Sequence, residues 1–228
     1  MGHSAIPALA HNNSSRPKNV EYARELIIDL EDLIAKNVAK SGIVNHFLVE
    51  KKTKVPLWAL VCLLDFGMLR RLYQNINPNV SNLIAKNYYS LSTKALQTMI
   101  SSLNVWRNIC AHGNRLLCFQ MKDYKKQVCD TPLHAYLGIE KDELDYRKGK
   151  RDLFSIVICL KYLLKREDFS DFIHALNKEI ASFSKKIVSS PIDFSNILAE
   201  TGIPSPADPK GGRLWTKIED VDVSDLAR

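Results

Sequence analysis

Residues 93–116 read TKALQTMISSLNVWRNICAHGNRL, and within them Leu96, Met99, Ile100, Leu103, Trp106, Ile109 and Cys110 recur at spacings of three and four. That is the period of an amphipathic helix, and Ser92 stands where an N-cap belongs. Gly113 is positioned to bend or end the helix.

The same period extends on both sides. Upstream, Val20, Ala23, Leu26, Ile27, Leu30, Leu33, Ile34 and Val38 define a helix over 20–40 whose opposite face is charged, with Gly42 as its stop. Pro56 suits a helix start, so 57–73 reads as one apolar, largely buried helix carrying Trp58, Phe66 and Tyr73 into the core. A short helix over 80–88 follows the turn residues Asn75, Asn77, Pro78 and Asn79. Downstream, 153–164 and 169–187 read as two further helices and 193–200 as a last short one. No period-two strand appears, and the expected fold is an all-α bundle of about five to seven helices.

Residues 1–17 read as a disordered or non-native polar tail, 18–200 as one helical domain, and 201–228 as an irregular Pro- and Gly-rich tail with Trp215 as its anchor. With 46% hydrophobic and 25% charged residues over 228 positions, the chain is globular in composition, which excludes wholesale disorder. Five cysteines without a CxxC pair speak against a disulfide framework and for a reducing compartment, so a cytoplasmic location is expected. Cys62, Cys110 and Cys159 lie in apolar runs and read as packing residues. The most apolar run, 56–64, is cut by Asp65 long before a membrane span is reached, so no membrane partner is expected.

Thirty-two Lys and Arg against 25 Asp and Glu leave a net charge of +7, a bias toward polyanions that decides nothing alone. No phosphate-binding Gly-rich loop, HExxH or GxSxG occurs. Cys110, His112, Cys118 and Cys129 do not have the spacing of a zinc knuckle, and neither metal nor other cofactor is expected.

What stands out is the polar group Arg107, Asn108, His112 and Arg115 at the end of an otherwise apolar helix. At about 100° per residue Asn108, His112 and Arg115 share a face, whereas Arg107 lies about 140° from His112. A second copy of the helix across a symmetric interface would pool both residue types in one cleft, so a homodimer is expected. His exchanges protons near neutral pH and Arg clamps phosphate oxygens, a pair suited to phosphodiester cleavage. Spacing alone does not separate this from a plainer role, in which the same side chains tie off a helix end. Beyond them Lys122, Lys125 and Lys126 with Tyr124, and Arg147, Lys148, Lys150 and Arg151 with Tyr146, interleave cations and aromatics as RNA-binding surfaces do. Lys51, Lys52 and Lys54 form a weaker patch.

The ordered pair of segments VPLWAL (55–60) with LDFGML (64–69) and Leu72-Tyr73, then RNICAHGNRL (107–116), resembles the Abi-like (abortive infection) bacterial proteins and, through Arg, a polar residue and a following His, the HEPN superfamily. The resemblance spans roughly 20–200. It implies a HEPN-like helical bundle, dimerisation and metal-independent RNA cleavage in antiphage defence or toxin-like growth arrest. It makes Arg107 and His112 the catalytic pair, Asn108 the adjoining polar residue and Arg115 an auxiliary cation. It also implies RNA as a partner, as substrate and as a bound noncoding RNA, with an antitoxin or phage-encoded trigger as a further partner. A non-catalytic RNA-binding or protein-interaction module on the same fold is the alternative.

Overall fold

The computed structural model describes residues 17–89, 91–143, 145–187, 194–204 and 209–227. Among them the chain is all-α: eleven α-helices, one π turn and one 3-10 turn, with a single isolated bridge between Lys141 and Tyr146 in place of any sheet. The count exceeds five to seven because Gly42–Asn45, Leu57–Val61 and Pro132–Tyr136 form helices of only four or five residues and Pro209–Asp220, expected as irregular, is helical. Of the tail expected over 1–17, residues 1–16 lie outside the described residues and Pro17 begins a helix.

Contacts divide the chain into two compact units, Met1–Leu83 and Ile84–Arg228. No composition shift in the sequence signals this division.

In the first unit α1 (Pro17–Asn37) buries Leu26, Leu30 and Ile34, spaced four apart on one face. They pack on Val44 of α2 (Gly42–Asn45), on Val55, on Ala59 and Leu60 of α3 (Leu57–Val61), and on Leu72 of α4 (Phe66–Asn75). Arg71 on α4 donates to Asp29 on α1 at 2.5 Å.

The single helix expected over 57–73 is broken. Asp65 adopts extended backbone and its carboxylate accepts the Met68 amide at 2.8 Å, so it caps a new helix where hydropathy alone runs on. The break turns Trp58 outward, 61% exposed with one edge on Phe47, and leaves Phe66 half-buried; of the three expected core aromatics Tyr73 alone is buried. Cys62 is exposed as well, contrary to the packing role its apolar neighbours suggest.

α5 (Pro78–Lys86) leads to the second unit, built on α6 (Thr93–Ala111). Ser92 caps α6 through its hydroxyl, which accepts the Ala95 amide at 3.1 Å. Leu96, Met99, Trp106 and Ile109 are buried, while Cys110, one residue and about 100° round from Ile109, is exposed rather than packed. α6 packs on α8 (Phe154–Leu163), whose Phe154, Val157, Ile158, Cys159 and Tyr162 are all buried, and α8 in turn packs on α9 (Arg166–Ile187). The Trp106 indole donates to Ser155 Oγ at 2.9 Å across this contact, so the one polar atom of a large buried ring is satisfied.

Two short helices complete the second unit's order, α7 (Pro132–Tyr136) before α8 and α10 (Phe194–Thr201) after α9. The irregular tail expected over 201–228 is instead helical between Pro209 and Asp220, forming α11. Burial of Trp215 and Ile218 overrides the low propensity of Gly211-Gly212, since tertiary contacts supply most of a short helix's stability. Trp215 is the anchor the sequence suggests: its indole donates to the Pro204 carbonyl at 3.0 Å and meets Phe154 edge-on. Lys161 Nζ donates to the Glu219 carbonyl at 3.0 Å near the end of α11; burial, with Arg166 adding repulsion, lowers its amine below the usual lysine range.

Candidate functional site

α6 ends in a Schellman motif. Gly113 adopts φ +62°, its amide donates to the Cys110 carbonyl at 3.3 Å, and the Asn114 amide reaches back to the Ile109 carbonyl at 3.1 Å. Because Gly113 takes the left-handed conformation, the chain turns sharply just after His112, the C-cap residue. Trp106 and Ile109 hold the helix end from below, packing with Met121 and with Leu116, Phe119, Leu153 and Ile156. The Trp106 and Phe119 rings meet edge-on at 5.2 Å.

On this rigid end the outward side chains are polar. Arg107, His112, Asn114 and Arg115 are exposed and Asn108 is half-buried. The Arg107 guanidinium donates to Asn108 Oδ1 at 3.1 Å, which fixes one side of the fork and leaves its other N–H groups facing out. Among the described residues the His112 imidazole has no hydrogen bond or ion pair, and the same is true of Arg115. Its backbone alone is engaged, through the His112 amide and the Asn108 carbonyl at 3.0 Å. Among the described residues the helix end is therefore closed by main chain and Gly113 rather than by hydrogen bonds from the Asn108 or His112 side chains.

The basic segments beyond are held beside each other by main-chain bonds: the Met121 amide donates to the Arg151 carbonyl at 2.8 Å and the Val128 amide to the Lys150 carbonyl at 3.1 Å. The expected cations nonetheless separate into two groups. Lys150 is mostly covered and binds Asp130 at 2.6 Å and also Asp145; burial alone would lower its amine, but these carboxylates outweigh it and raise it. Arg147 donates to Asp142 at 2.7 Å and Glu140 at 2.9 Å, and Lys126 pairs with Asp123 at 3.2 Å. Lys122, Lys125, Lys148 and Arg151 are exposed and, among the described residues, make no ion pair. Lys51, Lys52 and Lys54 are exposed in the first unit.

Two buried polar residues that sequence reasoning gave no part hold this region in shape. His134 donates from Nε2 to the Gly149 carbonyl at 3.1 Å, accepts the Thr131 amide at Nδ1, and stacks on Tyr146. Burial holds its imidazole below the ordinary histidine range. The Asp152 carboxylate accepts the Gly149 amide at 3.0 Å, and burial pushes it up to about 6. The Thr-Pro-Leu-His order at 131–134, a capping box with His134 in the third helical position, was the signal available for the first of these.

Among the described residues no three His, Cys, Asp or Glu side chains come together as a metal would need, and no helix is long and apolar enough to cross a membrane.

Fold and helix end together define an all-helical protein that presents an Arg-Asn-x3-His segment to solvent. The chain belongs to the Abi-like protein family, whose model matches residues 2–117, half of the chain. That match takes in Arg107, Asn108, His112 and Arg115 and stops short of the basic segments at 122–151. A search of curated proteins and one of solved structures return no match.

Proposed function

We propose that this protein is an RNA-binding, metal-independent endoribonuclease of the HEPN type that acts in abortive infection or toxin-like growth arrest. The observation that carries the reading is the His112 imidazole: exposed, without a partner among the described residues, one helical turn from the Arg107–Asn108 pair, in a protein of the Abi-like family. A histidine with a free ring at a rigid helix end costs nothing to the fold and is available for proton transfer.

The chemistry follows from those side chains. His112 accepts the proton of an RNA 2′-OH as its oxygen attacks the adjacent phosphorus. The P–O5′ bond breaks, the departing oxygen takes a proton from water, and the products are a 2′,3′-cyclic phosphate and a 5′-OH. Arg107, steadied by Asn108, holds the non-bridging oxygens as charge develops on them. Because Arg107 and His112 diverge by about 140° around α6, a homodimer with two α6 ends facing each other supplies the Arg of one copy and the His of the other to one phosphate. Arg115, Lys122, Lys125, Lys148 and Arg151 hold the strand on either side, as substrate or as a bound noncoding RNA. An antitoxin or phage-encoded trigger acts on the same exposed helix end, and the setting is the bacterial cytoplasm.

The test is incubation of the purified protein with single-stranded and structured RNAs in EDTA, followed by end analysis. Cyclic-phosphate ends, lost in Arg107→Ala and in His112→Ala, are expected. Intact RNA that nonetheless binds the protein would replace the nuclease with the non-catalytic RNA-binding module, and strict dependence on a divalent metal would replace the mechanism.

A further inference from the structure

Tyr124 stands 82% exposed, further out than any other large apolar side chain among the described residues. Its surroundings are ordered by hydrogen bonds rather than left loose. Met121, Gln127 and Val128 are buried, and the Gln127 side chain donates to the Met121 carbonyl at 2.9 Å, pinching the base of a five-residue projection, 122–126. At its tip the Lys126 amide donates to the Asp123 carbonyl at 3.0 Å and the Lys125 amide to Asp123 Oδ1 at 3.0 Å, an Asx turn that fixes the backbone on both sides of Tyr124.

Apart from Lys126, the cations around this tip make no ion pair among the described residues. Lys122 and Lys125 flank Tyr124 in the projection, and Arg151 lies across the main-chain bond from Met121. Asp123, the one acid in the projection, is already occupied by Lys126 and by the Lys125 amide. The base of the projection is also the floor of the α6 end, since Met121 and Phe119 pack with Trp106 and Ile109.

We infer that the 122–126 projection is a subsite for one unpaired nucleotide of an RNA strand, with Tyr124 stacking on the base and Lys122, Lys125 and Arg151 gripping the flanking phosphates. An aromatic face pairs with any base but reaches it only when the base is free of a duplex, so the subsite selects single-stranded or looped RNA. Lys122 and Lys125 beside the aromatic, with Arg151 across the main-chain bond from Met121 and none of the three in an ion pair among the described residues, favour a polyanion over a neutral peptide. The inference rests on the RNA reading above and adds the strand state of the ligand and the residue that senses it.

The test is fluorescence anisotropy of the full chain with a short labelled RNA, 2′-O-methylated throughout so that it cannot be cut, as a single strand and as a duplex. Tyr124→Ala is expected to weaken single-strand binding about tenfold, with little effect on duplex, and Tyr124→Phe to restore it. Lys125→Ala should lower the slope of log affinity against log salt by about 0.7, a slope that Tyr124→Ala leaves alone because stacking releases no counterions. Wild-type binding that is unchanged in Tyr124→Ala, or equal losses on single strand and duplex, would overturn the stacking subsite and leave RNA binding standing. Absence of wild-type binding to either RNA would overturn both, and binding to an acidic peptide alone would give the projection to a protein partner.

Discussion

Gly202 leaves the space of its missing side chain to Asp152: a Cβ built there would lie 2.5 Å from the carboxyl carbon and 2.6 Å from Oδ2. The glycine also holds φ +72°, where a side chain is strained even in open space. Asp152 uses that room to receive the Gly149 amide, so the C-terminal end of α10 and the loop before α8 are matched through one buried carboxyl.

Gly202→Ala therefore combines overpacking with a left-handed alanine. A loss of about 3 kcal/mol is expected, read from the denaturant midpoint. Because the clash is with Asp152, pairing it with Asp152→Ala should recover part of the loss, a coupling that a double-mutant cycle measures directly.

The carboxyl of Asp152 also gives stability a pH dependence of definite sign. Its folded value of about 6 exceeds the usual carboxylate value near 3.8, so the folded state holds this proton more tightly than the unfolded state. The contribution is complete below about 3.8 and is lost as pH rises through 6, a swing of roughly 3 kcal/mol at about 1.4 kcal/mol per unit. Urea melts across that range should show this fall, and Asp152→Asn should flatten it whatever its effect on absolute stability.

His134 runs the other way. Burial lowers its imidazole, while the bond to the Gly149 carbonyl opposes that lowering without cancelling it. The unfolded chain then takes up a proton near 6.5 that the folded one refuses, so this contribution is present above 6.5 and lost as pH falls. His134→Gln should remove that acid limb from a stability-against-pH curve. Asp152 and His134 grip the two sides of Gly149, amide and carbonyl, so the two contributions to this loop's stability change with pH in opposite directions.

The sequence carries the elements whose reasons are local. The Ser92 cap, the Leu26-Leu30-Ile34 stripe and the Trp215 anchor are each legible because a short-range pattern causes them. Asp65 shows the limit on the apolar side: nine neighbouring positions of hydropathy point to one helix, and a single carboxylate-to-amide bond ends it. The basic segments show it for charge. Counting cations along 147–151 gives a patch, but folding brings Asp130 to Lys150 from twenty residues away and neutralises part of it. Lys122 and Arg151 remain because, among the described residues, no acid is delivered to them, a fact no local count contains.

The helix end of α6 separates structural from chemical residues in one comparison. Gly113 carries the turn: no heavy atom lies within 4 Å of its absent Cβ, so Gly113→Ala meets no clash and loses only the left-handed preference, about 1 kcal/mol. His112, exposed and with its ring unbonded among the described residues, contributes little to the fold, and His112→Ala should stay within about 0.5 kcal/mol of wild type. Thermal melts of the two variants beside the RNA assay then give opposite patterns. Gly113→Ala should melt lower and still cut RNA, while His112→Ala should melt as wild type and cut none; a large drop in stability for His112→Ala would return His112 to a structural role and withdraw it from catalysis.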